Sequence, residues 1–176
     1  MHIIIGLLAL AGAASFWLWR ARNAAEMTGE LLDAANDVRL AARRFGFKRK
    51  SKIHPVDSIE DARVAGAAIV AALVRQAGRV TPEQEDTWLV QMQSKFNVGK
   101  PEAKELSVLG DWLVGQCSTP SNAVPRISRR LAQLAGPAAL PDMEEMIQAV
   151  FGADGAALPS AVEDGLTDLR ARLKAK

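Results

Sequence analysis

The stretch Val64-Ala-Gly-Ala-Ala-Ile-Val-Ala-Ala-Leu-Val74 decides the fold. Its eleven residues carry no charged or hydrogen-bonding side chain, and Arg63 and Arg75 close it at either end. A helix of that length reaches roughly 16 Å, little more than half of a bilayer core. A helix that is apolar on all sides yet too short to span belongs at the centre of a globular bundle. Its alanines and Gly66 let neighbouring helices approach closely. Tyrosine is absent and alanine abundant, and strand-favouring residues rarely cluster, so the domain is predicted to be all-α.

Working outward, Asp57-Ser-Ile-Glu60 has the form of an N-cap with an acid three residues on, placed to open the central helix. Gly78 closes it. Thr81-Pro-Glu-Gln84 then supplies a cap, a proline for the first helical position and the glutamine of a capping box. The helix it starts offers Trp88, Leu89, Met92 and Phe96 to the core. Asn97-Val-Gly interrupts, and Pro101 opens a helix with Leu106, Leu109, Trp112 and Leu113 on one face. Ser118-Thr-Pro-Ser-Asn122 is a turn cluster. Beyond it, Ile127, Leu131 and Leu134 mark a helix stopped by Gly136-Pro137. Met143, Met146, Ile147 and Val150 mark another, and Val162, Leu166, Leu169 and Leu173 a last one starting near Pro159. The two methionines read as core filler. Residues 56–176 are thus expected to form an antiparallel bundle of about six helices with short connections.

The N-terminal side is different. Ile3-Ile-Ile-Gly-Leu-Leu-Ala-Leu-Ala-Gly-Ala-Ala-Ser-Phe-Trp-Leu-Trp19 has no charge for seventeen positions. That is about 25 Å of helix, the short end of a membrane span. Ile3, Ile4, Ile5, Leu7, Leu8, Leu10, Phe16 and Leu18 would face lipid, with Trp17 and Trp19 at the interface and Arg20 and Arg22 snorkelling beyond. A cleaved signal peptide is the rival, given Ala-Gly-Ala at 11–13, but Met1-His2 lacks a basic leader. The reading is a single-pass anchor over residues 1–23, a bilayer lipid its partner. The Lys/Arg excess after it puts the C-terminal domain in the cytoplasm of a bacterial inner membrane.

Residues 24–55 form a neck and linker. Met27, Leu31, Ala34, Val38, Ala41 and Phe45 alternate by four and three, as in a heptad seam about three heptads long. Two readings follow: a helix that packs on its own domain, or a stalk that pairs two copies into a homodimer. Lys48, Arg49, Lys50 and Lys52 make the linker basic. Each is worth on the order of 1 kcal/mol against anionic headgroups if held at the surface; the alternative is a solvated linker.

Charge narrows the function classes. From Arg20 to Lys52 there are nine basic and four acidic residues; from Ile53 onward, thirteen and sixteen. A mildly acidic body does not suit a nucleic-acid reader. The sequence has no phosphate-cradling glycine loop ahead of a lysine, no HExxH and no paired cysteines. Gly110-Asp-Trp-Leu-Val-Gly115 sits within a helical pattern. His2 and His54 precede the predicted domain, and Cys117 reads as a small packing residue. Glu144-Glu145 and Glu163-Asp164 point to different helix faces. Neither an enzyme nor a bound cofactor is expected.

Two corners echo each other: Gln76-Ala-Gly-Arg-Val-Thr-Pro-Glu-Gln84 and Ala153-Asp-Gly-Ala-Ala-Leu-Pro-Ser160. With Phe96-Asn-Val-Gly before Pro101, and Met143-Glu-Glu-Met-Ile-Gln-Ala-Val-Phe-Gly before the second corner, the pattern over about 56–174 resembles the TerB-like family. These are small helical domains named for tellurite resistance. A domain of this type behind a membrane span is also similar to the front part of membrane-anchored DnaJ-type co-chaperones, although the sequence holds no His-Pro-Asp motif. The resemblance implies a non-enzymatic module that binds a protein partner at the membrane. It also implies an alternative: an ion-responsive stress protein that binds a divalent metal through acidic loop residues. Superposing the two Gly-x-x-x-Pro corners leaves Glu83 in the first and Asp154 in the second. Two carboxylates are few for a hard cation, and helix corners alone account for both loops.

Overall fold

The computed structural model describes residues 35–78, 81–152 and 157–175. The segment read as an anchor, residues 3–19, lies outside them, as do Met27, Leu31, Ala34 and Asp154. Among the described residues no helix is long and apolar enough to cross a membrane. Val38–Lys176 forms one compact unit, separate from the residues before it.

Every regular element in the described residues is helical. Helix α1 covers residues 35–44. A 3₁₀ turn at Pro55–Ser58 precedes α2 (Ala62–Ala77), α3 (Pro82–Phe96), α4 (Lys100–Gly115) and α5 (Pro120–Ala135). A second 3₁₀ turn, Gly136–Ala139, leads into α6 (Leu140–Phe151), and α7 (Ser160–Lys174) follows. The six helices from α2 to α7 match the number expected for residues 56–176.

Helix α2 is the hub, packing against α4, α5 and α7, while α3 pairs with α4 and α6. All side chains from Val64 to Leu73 are buried. Around them pack Met92, Leu106, Leu109, Leu113, Ile127, Met146, Ile147 and Leu169, each fully enclosed. Burying an aliphatic side chain of this size contributes about 1.5–3 kcal/mol. Leu89, Phe96, Trp112 and Leu134 are only partly buried at the margin of this core.

The small residues set the spacing. A Cβ on Gly110 would stand 2.9 Å from the Ala67 carbonyl carbon and 2.9 Å from the Ala68 nitrogen. Helix α4 therefore crosses α2 backbone against backbone, at a separation that only glycine permits. Gly165 of α7 also leaves room for a close approach, there by the tip of the Leu73 side chain and not by backbone.

Helix ends follow the expected chemistry with one correction. Thr81 and Gln84 make both bonds of a capping box: the Gln84 N–H donates to Thr81 Oγ1 (3.2 Å) and the Thr81 N–H to Gln84 Oε1 (3.0 Å). Gly136 closes α5 at φ 63°, a left-handed conformation. The cap of α2, however, is Asp61, whose Oδ1 accepts from the Arg63 N–H at 2.8 Å. Asp57 instead sits in the Pro55–Ser58 turn, and Glu60 pairs with Lys50. Pro55 favours that tight turn, and the extended Ile59 plugs into the core, which delays the helix. Asp61 also grips the Arg63 guanidinium, so it holds both the backbone and the side chain at the new start.

The last three members of the heptad seam are used within the chain. Ala41 and Phe45 are buried and Val38 is partly buried against the core. Arg44 reaches Glu105 at 3.1 Å and Glu102 at 3.6 Å on α4. The Arg63 guanidinium lies 5.3 Å from the centre of the Phe45 ring, and Phe47 meets Trp112 edge-on at 5.9 Å. The packed unit therefore starts well before residue 56.

Candidate functional site

The residues singled out in the sequence are scattered. Glu83 is exposed in the first turn of α3. Its own backbone N–H, and then the Thr81 hydroxyl, hold its carboxylate below the ordinary range. Its charge thus serves the helix N-terminus. Among the described residues no three His, Cys, Asp or Glu side chains gather as a metal site. Lys48, Arg49 and Lys52 are exposed on the linker. Lys50 is tied down: its Nζ donates to Glu60 Oε1 at 3.1 Å, and this bond lowers the Glu60 pKa.

A different place has the makings of a site. Where α4 ends and α5 begins, a groove of about 390 Å³ opens between the linker and the first three turns of α5. Asn122, Arg126 and Arg129 line it at helical spacings of four and three, with Pro125 between them. Ser118 and Cys117 supply its floor from the α4–α5 turn, and His54 closes the linker side. At the start of α5, Thr119 Oγ1 accepts from the Asn122 N–H at 3.1 Å, so the helix begins at Pro120 and carries its polar stripe into the groove.

His54 and Cys117 meet here although one lies on the linker and the other in the body, whereas His54 was expected to lie apart from the domain. The His54 ring pins the linker to the end of α4. Its Nδ1 accepts from the Val56 N–H at 3.2 Å, which leaves the proton on Nε2 to be donated to the Gln116 carbonyl at 3.1 Å. Both nitrogens are thereby engaged by backbone. The Cys117 thiol lies within 3.8 Å of the Leu113 carbonyl, and burial pushes its pKa up against the weaker, opposite pull of Arg126. A nucleophilic cysteine needs an accessible thiolate and a free base. This pair offers no free base, because both imidazole nitrogens are already taken by backbone groups.

The groove's charge comes from α5. Arg126 meets Asp57 at 3.3 Å, and Arg130, on another face, donates to the Ile59 carbonyl at 2.6 Å. Arg129 is exposed and has no carboxylate partner among the described residues. Compare Arg75, which grips Asp111 with both arms of its guanidinium at 2.6 and 2.7 Å, a contact that raises the Arg75 pKa.

The sequence held a faint trace of this stripe in the four-three spacing of Asn122, Arg126 and Arg129. Such a stripe is usually a solvated helix face, and nothing local shows that His54 binds a carbonyl 62 residues away. Set beside known protein families, curated proteins and solved structures, the chain finds no match.

Proposed function

We propose that this chain is a membrane-anchored, non-enzymatic interaction module. In this reading residues 3–19 span the inner membrane of a bacterium, and the TerB-like helical body stands on its cytoplasmic side to receive a protein partner. The observation that carries the reading is the state of the groove. Its one histidine is held by two backbone groups, burial pushes the pKa of its one thiol up, and an exposed guanidinium has no carboxylate partner among the described residues. That is a recognition surface without a poised nucleophile. The uncharged segment at 3–19 supports the anchor, and the basic residues that follow it support the orientation. Restricting the body to a membrane raises its effective concentration towards a partner held on the same surface.

Two measurements in cells test this. Fused after residue 176, a reporter active only in the cytoplasm gives signal and one active only in the periplasm gives none; the reverse pattern overturns the orientation. A photo-crosslinking residue placed singly at exposed positions around the body, namely Val90, Ser118 and Glu163, yields a discrete protein adduct from at least one of them. Absence of an adduct at all three overturns the module reading.

A further inference from the structure

We infer that the groove between the linker and α5 is a carboxylate-binding site that receives an acidic peptide segment of the partner, an inference that rests on the module reading above. The groove is open, and its volume of about 390 Å³ falls at the lower end of ligand-sized sites. Arg129 brings a planar fork of donors that no carboxylate among the described residues occupies. That fork matches the two oxygens of a carboxylate, and bidentate pairs of this kind are among the strongest polar contacts available. Asn122 and Ser118 add an amide and a hydroxyl to the groove's lining, able to serve the peptide backbone, and Pro125 gives an apolar face.

The local charge selects the ligand. Arg126 and Arg129 bring two positive charges, and Asp57, 3.3 Å from Arg126, returns one negative charge. The remaining single positive charge balances one carboxylate. A phosphate dianion would bring a second negative charge that no further cation of the groove balances, because both ring nitrogens of His54 are already taken by backbone groups. The groove thus suits a glutamate or aspartate side chain better than a phosphoryl group.

The test uses the full chain in detergent micelles and a fluorescein-labelled hexapeptide of alternating Glu and Gly, followed by anisotropy at physiological salt. Its all-Gln counterpart, inorganic phosphate and a phosphoserine peptide serve as comparisons. The Glu peptide is expected to bind at least ten-fold tighter than the Gln peptide. Arg129→Gln is expected to weaken it five-fold or more. Arg172→Gln, which removes the same charge from α7 outside the groove, leaves binding within two-fold. Arg129 is exposed and has no ion-pair partner among the described residues, so its variant is expected to fold, which an unchanged circular-dichroism melt verifies; Arg129→Lys keeps the charge, loses the fork and falls between. Equal binding of the Glu and Gln peptides, or equal loss with Arg129→Gln and Arg172→Gln, overturns the inference. So does phosphate or the phosphopeptide binding tighter than the Glu peptide. Crosslinked adducts in cells at Val90 or Glu163, outside the groove, alongside any of these failures would leave the module reading standing and reject only this groove.

Discussion

Helix α2 buries every side chain from Val64 to Leu73, whereas the α5 face that lines the groove keeps Asn122 and Arg129 in solvent. In the first region the helix is enclosed by three neighbours, α4, α5 and α7, so shape decides what is tolerated. In the second, side chains point away from the core, and their chemistry is free to serve a ligand. The difference separates stability from recognition, and it can be measured.

The largest effect is expected from Ile69→Ala. Ile69 is fully enclosed, and truncating such a side chain costs about 2–5 kcal/mol through lost transfer energy and the cavity left behind. In a chain of this size that lowers the melting temperature by roughly 5–15 °C. Arg129→Gln, by contrast, should stay within about 0.5 kcal/mol of the parent. Thermal circular dichroism of both variants in the same detergent decides it, and equal losses would erase the division between core and groove.

Next in size is Gly110→Ala. The new methyl would meet the Ala67 and Ala68 backbone at 2.9 Å, and backbone cannot swing aside as a side-chain tip can. Overpacking of this kind costs about 1–3 kcal/mol. Gly165→Ala meets the movable end of Leu73 instead, so it should cost less than Gly110→Ala. Urea titration of the pair checks the ranking. The reverse order would mean that α7 and not α4 sets the spacing around the hub.

These two regions were unequally legible. The uncharged run at 64–74 names its own place, because no other environment accepts it. The Thr81–Gln84 box is also local, since cap and partner lie within one turn. The start of α2 was not legible, because Asp57 and Asp61 are both good caps and the choice depends on where Ile59 is buried. The groove was less legible still. Arg126 finds Asp57 across the fold, and His54 finds Gln116. Spacing along a chain reports the faces of one helix, whereas the groove joins His54 on the linker to residues 117–129, far along the chain. Among sequence candidates, Glu83 is placed at a helix start, consistent with the corner reading, while Asp154 lies outside the described residues.

A smaller effect belongs to the corner itself. Thr81→Ala removes the hydroxyl that accepts the Gln84 N–H and should cost about 1 kcal/mol. Gln84→Ala removes the reciprocal bond to the Thr81 N–H. Since the two bonds form one box, the double variant should lose less than the sum of the singles. Strict additivity in a thermal double-mutant cycle would show that the two bonds form independently.

The finest test lies in the groove, at Cys117, and is read in reactivity. Burial holds its thiol above the ordinary pKa. The alkylation rate with iodoacetamide should therefore rise with pH to a midpoint above that of the same chain unfolded in urea, and at pH 7.5 the folded chain should react several-fold more slowly. The linkage has a definite sign. As pH rises past the unfolded thiol's pKa, the unfolded state loses its proton first, so this group's contribution to stability declines until the folded thiol also ionises. Cys117→Ser removes that decline if the thiol is its source. A folded midpoint below the unfolded one would mean that His54 and the arginines favour the thiolate. The groove would then hold an activated nucleophile, and the proposed division between a binding groove and an inert core would have to be redrawn around chemistry at Cys117.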